Sequence, residues 1–239
     1  MLRVSHLTKK FGELVAVNDL SFRVQEGQVY GIAGPNGAGK STVYNLITGN
    51  YAFEGEIFFD GIPISGMSPH KIAQLGISRT FQVPRTFPSL TVEQCIGVGA
   101  RFGDSESFDP ARVDEIIAFL DLTEERERMT GELSLLGKKK LMIGAALATR
   151  PRILLLDEPM AGSNAQEIRE LMELIRKVNE EMGVTVIIIE HFMKVLTELT
   201  EKLLIIESGS RIAEGDPHKV THHPEVIECY LGQAYAADN

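Results

Sequence analysis

With 239 residues, 44% of them hydrophobic and 24% charged, the chain is long enough to bury the core of one α/β domain and too apolar for a disordered polymer. Its net charge of −9 disfavours non-specific nucleic-acid binding, which rewards clustered Lys and Arg. Only Cys95 and Cys229 are present, which excludes a disulfide framework and suits a reducing cytosol.

The opening "MLRVSHLTKKFG" lacks the apolar core of a signal peptide, and no apolar run approaches the ~20 residues that span a bilayer. The expectation is a soluble chain that reaches a membrane only by docking on another subunit. The first 62 residues alternate short β-like runs with turns. "FRVQEG", "VYGIAG" and "GEIFFDGI" are strand candidates, with Gly27 and Asp60-Gly61 as turn chemistry. Between the last two, Lys40 to Thr48 is predicted helical, with Val43, Leu46 and Ile47 on one face. From Pro84 to about Thr149 the character is mostly helical. Asp109-Pro110 opens one helix, in which Val113, Ile116, Ile117 and Leu120 recur at helical spacing.

β and α then alternate again. "ILLLD" and "VTVIIIE" are aliphatic runs suited to parallel strands buried on both faces. A helix between them would bury Ile168, Leu171, Met172, Ile175 and Val178, and another runs from Phe192 to Leu199. "KLLIIESGSRIAEGD" reads as a hairpin around Ser208-Gly209, and "PEVIECYLG" as a closing helix. The outline is a mixed sheet interrupted by a helical subdomain.

Three clusters carry chemistry. "GPNGAGKST" (Gly34, Pro35, Asn36, Gly37, Ala38, Gly39, Lys40, Ser41 and Thr42) fits G-x-x-x-x-G-K-[ST] and lies between a strand and a helix, as a phosphate loop requires. The glycines let backbone N–H groups converge on an anion, Lys40 would reach the β- and γ-phosphates, and Ser41 would coordinate Mg²⁺. "ILLLDEP" ends a strand with Asp157 and Glu158, one suited to hold Mg²⁺ and the other to polarise an attacking water. His191 follows "VTVIIIE" at the same kind of strand end. His218, His222 and His223 lie in turns with no third ligand type suitably spaced for a metal.

Taken in order, the phosphate loop, "RTFQ", a segment near residue 133, "LLLDEP" and His191 resemble the ATP-binding subunit of ABC transporters over essentially the whole chain. "GPNGAGKSTVYNLITG", "SPHKIAQLGISRTFQVPRTFPSLTVEQ" and "DEPMAG" look most like the subunits that serve branched-chain amino acid uptake; urea-uptake ATPases share much of this vocabulary.

The resemblance implies a P-loop ABC-type α/β ATPase: a mixed-sheet core and N-terminal antiparallel β region over 1–83 and 150–239, with a helical subdomain over 84–149. Phe11 would stack on adenine. Gln82 would sense Mg²⁺ and the attacking water, Asp157 would support Mg²⁺, Glu158 would act as general base and His191 would contact the γ-phosphate. Asn164 would belong to a loop that crosses to a second subunit. The implied partners are ATP and ADP, Mg²⁺, a second ATPase subunit identical or homologous to this one, transmembrane permease subunits and, indirectly, an extracytoplasmic solute-binding protein. Nucleic acid is not among them. The implied location is peripheral, on the cytoplasmic face of the cell membrane, with contact to the permease around Gln82 to Thr91.

One segment departs from the family. The signature reads L-S-G-G-Q, or L-x-Y-G-Q in this subfamily. Here "LSLLGKKK" keeps Leu133 and Ser134, puts Leu135 and Leu136 where tyrosine or glycine stands, and puts Gly137 in the glutamine's place. Ser134 could still donate to a γ-phosphate across a dimer. Lys138 to Lys140 would begin a helix, facing either a triphosphate or solvent. Ala145, Ser163 and Phe192 also depart from the usual arginine, leucine and aspartate. The expectation is an active ATPase, slow if the altered segment hinders closure. The alternatives are a regulatory nucleotide switch with weak hydrolysis, and an ABC ATPase of DNA repair or ribosomes, which net acidity and the lack of basic extensions oppose.

Overall fold

In the computed structural model, which describes residues 1–102 and 108–237, the chain divides into two units, Met1–Pro69 with Thr185–Asn239, and His70–Val184. In the first unit, β1 (Leu2–Phe11) and β2 (Leu14–Val24) form an antiparallel pair whose register runs from Leu2 opposite Val24 to Phe11 opposite Leu14. Next come β3 (Val29–Ala33), buried throughout, α1 (Lys40–Ile47) and β4 (Glu54–Phe59). β4 pairs with the free side of β1, and Asp60-Gly61, both at positive φ, turn it tightly into β5 (Ile62–Pro63). The order β2-β1-β4-β5 makes this an antiparallel layer.

The second unit is mostly helical. After α2 (Pro69–Gln74), the short β6 (Ile77–Arg79) precedes α3 (Val92–Arg101), α4 (Pro110–Phe119) and α5 (Leu135–Ala148). Thr91 and Gln94 form a reciprocal capping box that fixes the start of α3, and the Asp109 carboxylate caps α4 as its Asp-Pro sequence predicts. α3 and α5 cross closely: a Cβ at Gly99 would stand 2.0 Å from the Ala145 carbonyl oxygen. β7 (Ile153–Asp157) then runs parallel to β6, and α6 (Ala165–Glu180) follows with an Asn164–Glu167 capping box.

The chain returns to the first unit with β8 (Thr185–Ile189), α7 (Met193–Leu199), β9 (Lys202–Glu207), β10 (Ser210–Gly215), α8 (Pro217–Val220) and α9 (Pro224–Ala237). β3 lies between β8 and β9 and is parallel to both, so it is buried on both faces as its unbroken apolar run demands. β9 and β10 form the expected hairpin around Ser208-Gly209.

Differences from the sequence reading have local causes. β1 escaped the strand pattern because its alternation is broken: His6 sits at positive φ, and the register shifts three times between Val4 and Lys10. On α6, Leu174 is buried in place of Ile168, which is half-exposed. α5 starts at Leu135, capped by Ser134, so Lys138 to Lys140 lie inside the helix and do not begin it.

Candidate functional site

The residues singled out in the sequence fall into a cluster in each unit. In the first unit, β3 delivers the chain to Gly34, and Gly34, Gly37 and Gly39 all take positive φ before α1 begins. Two of these glycines are demanded by packing as well as conformation: a Cβ would lie 2.0 Å from the Ile206 oxygen at Gly34 and 2.3 Å from the Ala16 oxygen at Gly39. At Gly37 a Cβ would meet nothing within 4 Å, so only conformation restricts it. The start of α1 points its leading N–H groups and partial positive charge at this loop.

Lys40 is 6% exposed, and its ammonium donates to the carbonyls of Gly34 (2.6 Å) and Pro35 (2.9 Å). The loop thus folds around its own cation. Tyr44, one turn further, anchors α1 by donating to the Ile187 carbonyl at 2.6 Å.

Two more residues belong to this unit. Phe11 is 42% exposed, which removes it from the core; Tyr51 meets it edge-on at 5.3 Å and the Lys9 ammonium stands 4.9 Å from its ring. An exposed ring braced in this way offers a face for stacking. His191 follows β8, exposed, its ring 4.2 Å from that of Phe192. Its backbone N–H donates to the carboxylate of the fully buried Glu190, whose Oε2 also lies 3.8 Å from Nδ1.

In the second unit β7 carries Asp157 and Glu158 at its carboxyl end. Asp157 is 5% exposed, and its Oδ2 accepts from the Arg79 guanidinium at 2.7 Å. Glu158 takes a left-handed φ of 46°, which turns its side chain away from its neighbour's direction, and its Oε2 accepts from the Gln82 amide at 2.7 Å. Adjacent carboxylates thus receive different partners, Asp157 from the last residue of β6 and Glu158 from the segment that follows it.

Ser134 is the N-cap of α5, its hydroxyl oxygen accepting from the Gly137 N–H at 3.1 Å. Lys139 is not part of a solvated face. It is 2% exposed and donates to the Ala161 carbonyl (2.6 Å) and the Ser163 hydroxyl (2.7 Å), so the serine that departs from the family pattern has a local function. Lys140 lies 3.8 Å from Glu170. Asn164, just beyond, caps α6.

Sequence reasoning missed Arg79, Glu190 and Tyr51, and misplaced Lys139 on a helix face toward a triphosphate or solvent. Arg79 stands inside the quoted "RTFQ" and is the only one with a usable signal, a cation three residues before a candidate glutamine. The other three are placed by tertiary contacts that no local pattern announces.

Residues 17–161 match the ABC transporter family, and residues 210–236 match the branched-chain amino acid ATP-binding cassette transporter family. A relative from Pseudomonas aeruginosa, the high-affinity branched-chain amino acid transport ATP-binding protein BraF, is 38% identical, with 98% of each chain covered. Among solved structures, an ATP-binding cassette of an ABC transporter in its ADP conformation superimposes with a TM-score of 0.88 at 31% identity, covering 97% of this chain and 98% of that one. A dimeric cassette in a post-hydrolysis state, bound to ADP and Pi, gives 0.81 at 26% identity over 91% and 99%. A strand–glycine loop–helix that folds around a buried lysine, two differently partnered carboxylates closing a second strand, and likeness over nearly the whole length lead to one conclusion: the chain belongs to the ATP-binding family of ABC transporters and is an ATPase.

Proposed function

We propose that this chain is the ATP-hydrolysing motor subunit of an importer for branched-chain amino acids, peripheral on the cytoplasmic face of the membrane. The single observation that carries this is the near-full-length likeness to BraF, 38% identical over 98% of each chain. The match of residues 210–236 to the branched-chain family supports it. No helix among the described residues is long and apolar enough to cross a membrane, so permease subunits would carry the solute path.

In this reading Gly34 to Thr42 cradle the triphosphate of ATP, Lys40 leaves its loop carbonyls for the β- and γ-phosphate oxygens, and Phe11 stacks on the adenine. The residues present fit Mg²⁺: the Ser41 hydroxyl and the Asp157 carboxylate are hard oxygen donors, and Asp157 already holds a cationic partner. When bound, Mg²⁺ supplies charge neutralisation at the phosphates. Glu158 accepts the proton of the attacking water, Gln82 orients that water and leaves Glu158 as it does so, and His191 steadies the γ-phosphate, held by the buried Glu190 behind it. A second ATPase subunit completes the site, with Ser134 facing the partner's nucleotide; a dimeric cassette bound to ADP and Pi is among the structures this chain resembles. The helical segment over 84–149 passes the motion to the permease.

Glu158→Gln separates binding from chemistry: turnover should fall by about 10²–10⁴-fold, the usual contribution of a general base, with ATP affinity retained. Unchanged hydrolysis would remove Glu158 from this role. Uptake of labelled leucine by cells lacking the gene tests the solute; loss of urea uptake with leucine uptake intact would move the assignment to the related urea importers. The regulatory reading draws on one observation, that Leu135 and Leu136 replace the signature glycine in a segment whose serine already serves as a cap. Phosphate release by the complete complex, at the level of the isolated chain, would favour it.

A further inference from the structure

We infer that Arg79 is a positioning residue that holds the metal-ligand carboxylate in the absence of Mg²⁺, so that metal loading displaces Arg79 and resets the 81–85 loop. The inference rests on the ATPase reading of Asp157 and not on the identity of the transported solute.

The observations form one chain of contacts inside the second unit. The side chains of Arg79 and Asp157 are 9% and 7% exposed, and they meet through a 2.7 Å charge-assisted hydrogen bond. Removing both charges from water is tolerable only because each neutralises the other. Asp157 is held in place from its own backbone too, because its N–H donates to the Thr80 hydroxyl at 3.4 Å while the Thr80 N–H donates to the Leu155 carbonyl at 2.9 Å. The Asp157 backbone is therefore fixed, and of the two side chains the arginine is the longer, with more torsions through which to withdraw.

The guanidinium occupies Oδ2, and a divalent ion on the same carboxylate would set a second cation beside it where water is scarce. That repulsion favours the departure of Arg79 when the metal arrives. Its departure has a mechanical consequence because the guanidinium also lies 5.3 Å from the centroid of the Phe81 ring, while the Arg85 guanidinium lies 5.2 Å from the same ring. Phe81 is thus held by two cations, one tied to Asp157 and the other in the exposed loop. The next residue in the segment is Gln82, bonded to Glu158. Both carboxylates at the end of β7 therefore read out through a single stretch of backbone, and metal at one loosens the segment that partners the other.

Equilibrium binding of a non-hydrolysable fluorescent ATP analogue to the full chain, with Mg²⁺ or with EDTA, tests this. Wild type should prefer the magnesium complex by a modest factor, because the metal must first displace Arg79. In Arg79→Met the preference should rise on the order of tenfold, the lower end expected for losing one charged hydrogen-bond competitor. Hydrogen exchange over 81–85 should respond to Mg²⁺ in wild type and lose that response in Arg79→Met. Phe81→Leu should keep the wild-type metal preference while the exchange response shrinks, an outcome that a merely structural salt bridge does not produce. If Arg79→Met fails to fold, Arg79→Lys, which keeps the charge but not the planar fork, should raise the preference by a smaller factor. A folded Arg79 variant with wild-type metal preference overturns the inference. Failure of wild type to bind the magnesium complex would instead overturn the nucleotide reading.

Discussion

The phosphate loop and the signature segment are both glycine-bearing motifs in family members, yet in this chain one is intact and the other has lost its glycines. The difference lies in what demands the glycine. At Gly34 and Gly39 the chain's own backbone makes the demand: φ is +153° and +100°, and a Cβ would run into the carbonyls of Ile206 and Ala16. At residues 135 and 136 the backbone is ordinary right-handed helix, which leucine adopts readily. A glycine there serves only an approaching partner. Motifs required by the fold resist substitution even when function relaxes, whereas motifs required only by an external ligand can drift.

The largest expected effect probes the first half of this contrast. Gly39→Ala should cost upward of about 3 kcal/mol, combining a left-handed alanine with a backbone clash that no rotamer relieves, read as a large drop in the urea midpoint. Gly37→Ala, with open space around it, should cost only about 1–2 kcal/mol of backbone strain. If both variants weaken ATP binding but only Gly39→Ala destabilises the apo chain, the two demands are separated. Equal destabilisation would break the contrast.

The same logic explains what was legible in the sequence. "GPNGAGKST", "ILLLDEP" and the aliphatic strands β3, β7 and β8 announce themselves because local backbone geometry and two-sided burial restrict their composition. β1 was hidden by its bulges, and β6 by its three-residue length. Within the site, the short contacts of Asp157 to Arg79 and of Glu158 to Gln82 span 78 and 76 residues of sequence. No periodicity links such positions; the fold alone brings them together. Lys139 shows the limit most clearly. Three consecutive lysines read as a charged face, yet the middle one is buried against a carbonyl and a serine 24 residues away.

A smaller effect tests the drifted motif directly. Leu136→Gly restores the family glycine and should raise ATP turnover of the complete complex about fivefold, equivalent to about 1 kcal/mol of barrier. It should lower the stability of the chain by roughly 0.5–1 kcal/mol, because glycine is a poor helix residue. Higher turnover with lower stability would show that the leucine stabilises the helix at the expense of a close approach across the dimer. Turnover at or below wild type would mean that the segment no longer works by backbone approach.

The smallest effect concerns Ser134, whose hydroxyl oxygen is already engaged as the α5 cap. Accepting from the Gly137 N–H leaves the hydroxyl proton available for donation, so capping and phosphate recognition are compatible in one side chain. Ser134→Ala should cost about 1 kcal/mol of stability, whereas Ser134→Gly should cost only a few tenths, because glycine is tolerated at an N-cap. The pair separates the two tasks. If the hydroxyl serves only as a cap, turnover in Ser134→Gly should return to the wild-type value together with stability. If it also donates to a partner's γ-phosphate, both variants should lose turnover equally while their stabilities differ. That second pattern is the expected one, since the surrounding glycines have gone and the serine is the signature group that remains able to donate a side-chain hydrogen bond.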